Sequence, residues 1–409
     1  MRRRGLVAAI AVLVVAGGAG IAYAILKSRT GDVFHSNVEF QAEHTQGGHA
    51  GSWPLYGYTP DHLRYLAAPL EPPFKKLWFF PAHGLLEFPP VIKDGVLYQL
   101  NDNATLNALD VGSGRVRWSR TLGTVSASTP AVSASLVYAT VLKRTGAAHG
   151  GSVTALSTHD GHVVWQRSLP SGSESSPLLY AGTLYFGSQD STVYALDANT
   201  GATRWTLKAS GSVKGSPAEK DGVIYFGDYG GDVRAVSART GAQVWKVSTS
   251  GALLGAGTFY AAPAIAFGRV YLGNTDGHMY SFSQRTGKLA WARQTGNYVY
   301  ASAAVLDTPG LGPTIYVGSY DGVMYAFDAR TGATRWKYNA HGKISGSATI
   351  VGRILYFANL ANHTTTGLDV RTGRPVFKTS QGSFDPVVSD GSRIFLTGYT
   401  SVSALEPAR

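Results

Sequence analysis

One pattern recurs along this chain and limits its fold more than any other feature. Its fullest form is Ala195-Leu-Asp-Ala-Asn-Thr-Gly-Ala-Thr-Arg-Trp205. A small residue and an aliphatic one are followed, often, by Asp, then by Thr-Gly, three variable residues and an aromatic ring. The rings are Trp118, Trp165, Trp205, Trp245, Trp291, Trp336 and Phe377, spaced 47, 40, 40, 46, 45 and 41 residues apart. A period of that size means one supersecondary unit stacked many times, as in a propeller or a solenoid.

Each repeat has the same internal order. Asp221-Gly-Val-Ile-Tyr-Phe-Gly227 predicts a short apolar strand, and Asp228-Tyr-Gly-Gly231 a turn whose glycines are free to take positive φ. Asp232-Val-Arg-Ala-Val-Ser237 alternates and predicts the next strand. A Thr-Gly turn and the alternating Ala242-Gln-Val-Trp-Lys-Val247 complete the unit. Short strands with no helical stretch between them describe one blade of an all-β propeller.

Eight core hairpins are readable, around Tyr98, Tyr138, Tyr185, Tyr225, Tyr271, Tyr316, Tyr356 and Phe395. Seven have a Thr-Gly-type strand after them (Ser113-Gly114 and Asp160-Gly161 standing in for Thr-Gly in the first two), and the hairpin over 392–406 does not. The missing outer strand is expected from residues 74–80, whose Trp78 lies 40 residues before Trp118. Such a strand would close the ring and remove an open sheet edge. The expectation is eight blades, with seven as the alternative if one hairpin is irregular.

The N-terminus bears on compartment. Met1-Arg-Arg-Arg4 precedes 22 uncharged residues, 5–26, with Lys27 and Arg29 beyond. This run can span a bilayer, with the arginines cytoplasmic. A cleaved signal peptide is the other reading, since Ala22-Tyr-Ala24 suits a cleavage site. Residues 1–27 are thus expected to anchor the chain in a cell membrane, single-pass with the propeller outside. Cleavage after residue 24 would make it secreted or periplasmic. Residues 28–52 read as a polar linker and 53–409 as the propeller, with the aromatic Trp53–Tyr65 stretch packed over it. His35, His44 and His49 in the linker lack a metal-ligand spacing.

Five of the eleven net positive charges sit at Arg2, Arg3, Arg4, Lys27 and Arg29, which leaves about +6 for the rest and no case for nucleic acid. There is no cysteine, so disulfides, thiol catalysis and a lipidated Cys anchor are excluded.

The repeat resembles the quinoprotein-type, or PQQ-like, propeller repeat over roughly residues 53–406. Ala195–Trp205 and Ala326–Trp336 carry it most fully, and the Gly182–Asp190 hairpin and the Trp53-Pro-Leu-Tyr-Gly57 opening add to it. WD40 and kelch signature residues are absent. The resemblance implies two branches. One oxidises alcohols or sugars with PQQ and calcium; the other, similar to BamB, binds proteins and no cofactor. Trp78, Trp118, Trp165, Trp205, Trp245, Trp291, Trp336 and Phe377 are expected to be structural, since every blade repeats them.

A site is sought at one mouth of the channel, just before each innermost strand. Three residues before the aligned Pro or Ala of each blade stand Glu87, Ala127, Glu174, Lys214, Tyr260, Tyr300, Ser345 and Ser383, with Phe88, Phe384 and Asp385 adjacent. Small neighbours suit a crowded inner strand. Glu87, Glu174, Lys214, Tyr260, Tyr300 and Asp385 are therefore the candidate binding residues, with Glu174 and Lys214 in position to pair. Asp190, Asp276 and Asp321 lie in hairpin turns of different blades and cannot converge on one ion. No catalytic residue, metal or cofactor is expected. The expected role is a monomeric, membrane-tethered extracytoplasmic scaffold that binds an envelope protein; a PQQ/Ca-dependent dehydrogenase is the alternative.

Overall fold

The computed structural model describes residues 32–408 except 46, 49, 147–149, 250–256 and 386. Among the described residues eight sheets follow one another in chain order, six of four strands and two of five, antiparallel throughout except where Tyr65–Leu66 joins the innermost strand of blade 7 in parallel. This is the eight-bladed, all-β propeller, so the seven-bladed alternative falls. Blade 4 shows the plan: Ala218–Lys220 innermost, then Val223–Gly227, Asp232–Ser237 and the outer Gln243–Ser248. The outer strand carries a bulge opposite the small-aliphatic step, between Ala235 and Val236, and the equivalent step shifts in six other blades.

Blade 8 is built from both ends of the sequence. Phe74–Pro81 pairs antiparallel with Ser401–Pro407, from Phe74 opposite Pro407 to Pro81 opposite Ser401. A ring closed by backbone hydrogen bonds has no terminal blade to fray.

The tryptophans clasp adjacent blades. The Trp205 indole N–H donates to the Ala238 carbonyl of the next blade at 2.9 Å, and the other six indoles repeat the bond onto Val111, Thr158, Ala198, Gln284, Ala329 and Val370. The glycine of the next outer turn, Thr-Gly in five blades, Ser113-Gly114 in blade 1 and Asp160-Gly161 in blade 2, lies against each indole. At Gly241, where φ is +71°, an added Cβ would come within 2.8 Å of the Trp205 ring. That glycine is needed twice, for its backbone conformation and for the close approach. The Thr of such a turn bonds locally as well: in blade 3 the Thr200 hydroxyl donates to Asp197 and accepts from Ala202 N–H.

Two N-terminal segments depart from expectation. The described part of the expected linker is docked on the propeller. Val33–Phe34 pairs with the outer strand of blade 5, Phe40 stacks on Phe267, and Glu39 pairs with Arg285 at 2.9 Å. Its polar composition had suggested a solvated linker, but its charges have partners. Residues 53–66 lie in the channel rather than over it. Trp53 exchanges hydrogen bonds with Ile92, and the carbonyls of Pro54, Pro60, Asp61, Leu63 and Arg64 accept from Val132, Glu219, Ile265, Val305 and Ile350. Each donor sits on an innermost strand, which would otherwise be a bare edge. The segment is therefore a plug that satisfies six blades. Tyr58, His62 and Arg64 hold positive φ of 78°, 58° and 54° within it, a strain carried by these bonds.

Residues 1–31, which include the whole of the expected anchor or signal over 1–27, lie outside the described residues. Among the described residues no helix is long and apolar enough to cross a membrane.

Candidate functional site

The lead-ins to the innermost strands meet at the mouth, where hydroxyls link blade to blade. Thr129 N–H donates to the Ser176 hydroxyl, Ser176 carbonyl accepts from Ser216, and Ser302 N–H donates to Ser347 at 2.8 Å. These bonds, as much as crowding, explain the small residues there. Gly346 admits no side chain, because a Cβ would overlap the Phe384 carbonyl.

Inside this collar is a cup of about 210 Å³. It brings together Glu87, Tyr260, Tyr300, Ser345 and Asp385 from the expected ring, with Phe88 and Phe384 beside them. Glu174 and Lys214 line a smaller recess that shares Tyr56, Phe88, Tyr260 and Tyr300 with the cup. They form the expected ion pair, at 2.9 Å, and Lys214 also lies over the Tyr229 ring. Ala127 lines neither space, and Ser383 turns toward His363.

Two rings of the cup escaped the alignment. Tyr56 comes from the plug, and its hydroxyl bonds Ser347 at 3.0 Å. Tyr320 comes from a hairpin turn, and its hydroxyl bonds Ser345 at 3.1 Å. The rings stand at angles: Tyr260 and Tyr300 meet at 87° and 5.4 Å, Tyr300 and Tyr320 at 58° and 4.9 Å.

The electrostatics are those of acids kept from water. Burial pushes the Asp385 carboxyl up to about 7; Arg64 and the Ser347 N–H pull it down, and Glu87 pushes it further up. Glu87 is raised by burial and by Asp102 and Glu174. Arg64 is itself buried, with its guanidinium 4.1 Å from the Tyr56 centroid, and does not line the cup. Burial and Arg64 together push His62 of the plug down to about 3, so it is neutral at ordinary pH.

The turn aspartates have local roles. Asp190, Asp276 and Asp321 each accept from the backbone N–H two residues on and from a tyrosine hydroxyl four residues on. Among the described residues no group of three His, Cys, Asp or Glu is placed to hold a metal ion.

Comparison with known proteins agrees with this architecture. No curated protein matches the chain in sequence. In structure it is similar to BamB from Moraxella catarrhalis, with a TM-score of 0.67 and 17% identity over 82% of this chain and 98% of that one. It is similar also to a europium-containing methanol dehydrogenase, with a TM-score of 0.69 and 14% identity over 85% and 88%. It is similar as well to the computationally designed Ika8 protein, with a TM-score of 0.67 and 15% identity over 82% and 100%. Identities this low show the fold alone. The family model described as outer membrane protein assembly factor BamB matches residues 70–208 and 189–408, nearly the whole ring, and the chain belongs to that family of PQQ-like propellers.

Proposed function

We propose that this chain is a protein-binding scaffold of the cell envelope, tethered to a membrane by residues 5–26 with the propeller outside. The observation that carries this reading is the aromatic tier of the mouth. Tyr298 and Tyr399 are 48% and 50% exposed there, and they contact Tyr300, Tyr320 and Phe384 below them. Blade packing does not use these rings, since the clasping tryptophans are on the outer strands. Exposed aromatics above a polar collar are the composition of an interaction surface. The family description names an outer-membrane assembly factor, which supports an envelope partner. The chain has no cysteine for a lipid anchor, so attachment falls to the N-terminal apolar run.

The dehydrogenase reading has less support from the cup. PQQ carries three carboxylates, and the cup offers it Glu87 and Asp385. The nearby basic groups are engaged elsewhere, Lys214 with Glu174 and Arg64 against Tyr56. The residues present do not fit that cofactor.

Photo-crosslinking in cells tests the scaffold reading. A benzoyl-phenylalanine at Tyr298 or Tyr399 is expected to trap one discrete protein, and one at Val163 on the outer rim to trap none. Equal adducts from all three positions, or none from the mouth, would sink the reading.

A further inference from the structure

We propose that the cup at the propeller mouth is a cage for a small organic ammonium ion. The inference rests on the reading of the mouth as the binding end, but it needs no partner protein.

The lining carries the argument. Six aromatic rings and two carboxylates surround the cup, and no Lys, Arg, Asn or Gln lines it. A ring face attracts a cation through its quadrupole, and a group of rings set at angles is the arrangement that recognises alkylammonium groups. Tyr260, Tyr300 and Tyr320 meet at angles of 58° and 87° rather than stacking face to face. The hydroxyls of Tyr56 and Tyr320 are tied to Ser347 and Ser345, so these two rings are held in place before any ligand arrives. The cup holds about 210 Å³. That exceeds the ~150 Å³ apolar cavity that accepts a benzene ring.

The acids supply the second observation. Among the described residues neither Glu87 nor Asp385 has a cation within ion-pair distance, although Asp385 is only 4% exposed. Arg64 attracts Asp385 from beside Tyr56, but one guanidinium stands against two carboxylates. A neutral sugar would call on the lining hydroxyls, but Ser347 and Ser345 are already tied to Tyr56 and Tyr320, and no amide side chain lines the cup. An anion would face both acids. A cationic nitrogen with methyl or methylene groups answers the rings and the acids together.

An isosteric series tests this by calorimetry on the propeller. Choline, 3,3-dimethylbutan-1-ol and 3,3-dimethylbutyrate share one shape and differ in charge. Choline is expected to bind at least ~10-fold more tightly than the neutral alcohol, the anion not at all. A parallel arm with lysine amide distinguishes a primary amine from a quaternary one as the better fit, and binding of either supports the cage. Choline affinity is expected to rise between pH 6 and 8, as Asp385 ionises against the opposing pulls of Arg64, Glu87 and the Ser347 N–H. Tyr300→Leu and Asp385→Asn are each expected to weaken choline at least ~10-fold without a change in fold by circular dichroism. If Asp385→Asn fails to fold, Tyr300→Leu decides alone. No binding by either cation, equal binding of the alcohol, or preference for the anion would overturn the cage. A cage that binds choline while the mouth traps no protein would leave this inference standing and remove the scaffold reading.

Discussion

Seven seams of this propeller are alike and the eighth is not. At each of the seven, an indole N–H crosses to a carbonyl of the next blade and the glycine of that blade's outer turn lies on the ring, preceded by Thr in five of them. Between blades 7 and 8 the ring is Phe377, which has no N–H, and blade 8 has no Thr-Gly turn. Phe377 instead meets Phe74 edge-on at 5.5 Å, with a cavity of about 240 Å³ nearby, lined by Glu71, Pro72, Arg353 and Val376. Phe74 begins the closing strand, so this seam is where the two chain ends are joined. A repeat can perfect its seams only where the next unit repeats too. The unit assembled from both termini gets a looser one.

The largest test of this contrast compares the rings themselves. Trp78 joins blade 8 to blade 1 through a regular seam and is 8% exposed. Trp78→Ala is expected to cost about 3–5 kcal/mol, a large share of a stability of about 5–15 kcal/mol. Phe377→Ala, half-buried beside a cavity, is expected to cost roughly half as much, because fewer contacts are lost. Chemical denaturation of both variants measures this. Equal losses would mean that the two seams are energetically alike, whatever their geometry.

The same contrast shows what was legible in the sequence. The blades were, because the Thr-Gly-aromatic spacing reports strand, turn and ring at once. The closing strand was legible too, since Trp78 keeps the 40-residue interval to Trp118. The plug was not. Residues 53–66 serve the channel through backbone carbonyls, which every residue has, so no side-chain pattern announces them. The docked stretch over residues 32–45 was hidden by its polarity, since its partners Lys220, Phe267 and Arg285 are more than a hundred residues away. The cup was half legible. Glu87, Tyr260, Tyr300 and Asp385 follow from aligning the blades, whereas Tyr56 enters from the plug and Tyr320 from a turn outside the alignment.

A finer test uses the tyrosines of the second strands. The Tyr185 hydroxyl donates to the Ala238 carbonyl at 3.0 Å, the same carbonyl that Trp205 uses. Tyr316 does the same to Val370. At the eighth seam the Tyr356 hydroxyl is buried and has no partner among the described residues. Tyr185→Phe should therefore cost about 0.5–1.5 kcal/mol, since it removes a satisfied hydrogen bond. Tyr356→Phe should be neutral or stabilising, since it removes an unsatisfied one. Paired melts at one pH suffice. A loss at Tyr356 equal to that at Tyr185 would show that the eighth seam bonds like the others.

The smallest effect is electrostatic and separates blade 7 from blades 1, 3 and 6. In blades 1, 3 and 6 the turn aspartate faces an arginine seven residues on: Asp110 with Arg117, Asp197 with Arg204 and Asp328 with Arg335, each pair at 2.7–2.8 Å. In blade 7 the position seven residues after Asp369 is Val376. The bond from Arg204 holds the Asp197 carboxyl down at about 2, helped by Thr200 and the turn N–H groups. A carboxyl lowered on folding stabilises the fold fully above its ordinary range near ~4 and loses that contribution as pH falls toward 2. The pair is partly exposed, so solvent limits its worth to about 0.2–1 kcal/mol. Asp197→Asn should thus be slightly less stable than the wild type at pH 7 and fall less steeply between pH 4 and 2. Asp369→Asn keeps an oxygen for the Thr372 contacts and breaks no arginine pair, so it should cost less than Asp197→Asn at pH 7. Denaturation midpoints for the two variants across pH 2–7 decide the matter. Equal losses at pH 7 would mean that the turn hydrogen bonds, and not the arginines, set the worth of these aspartates.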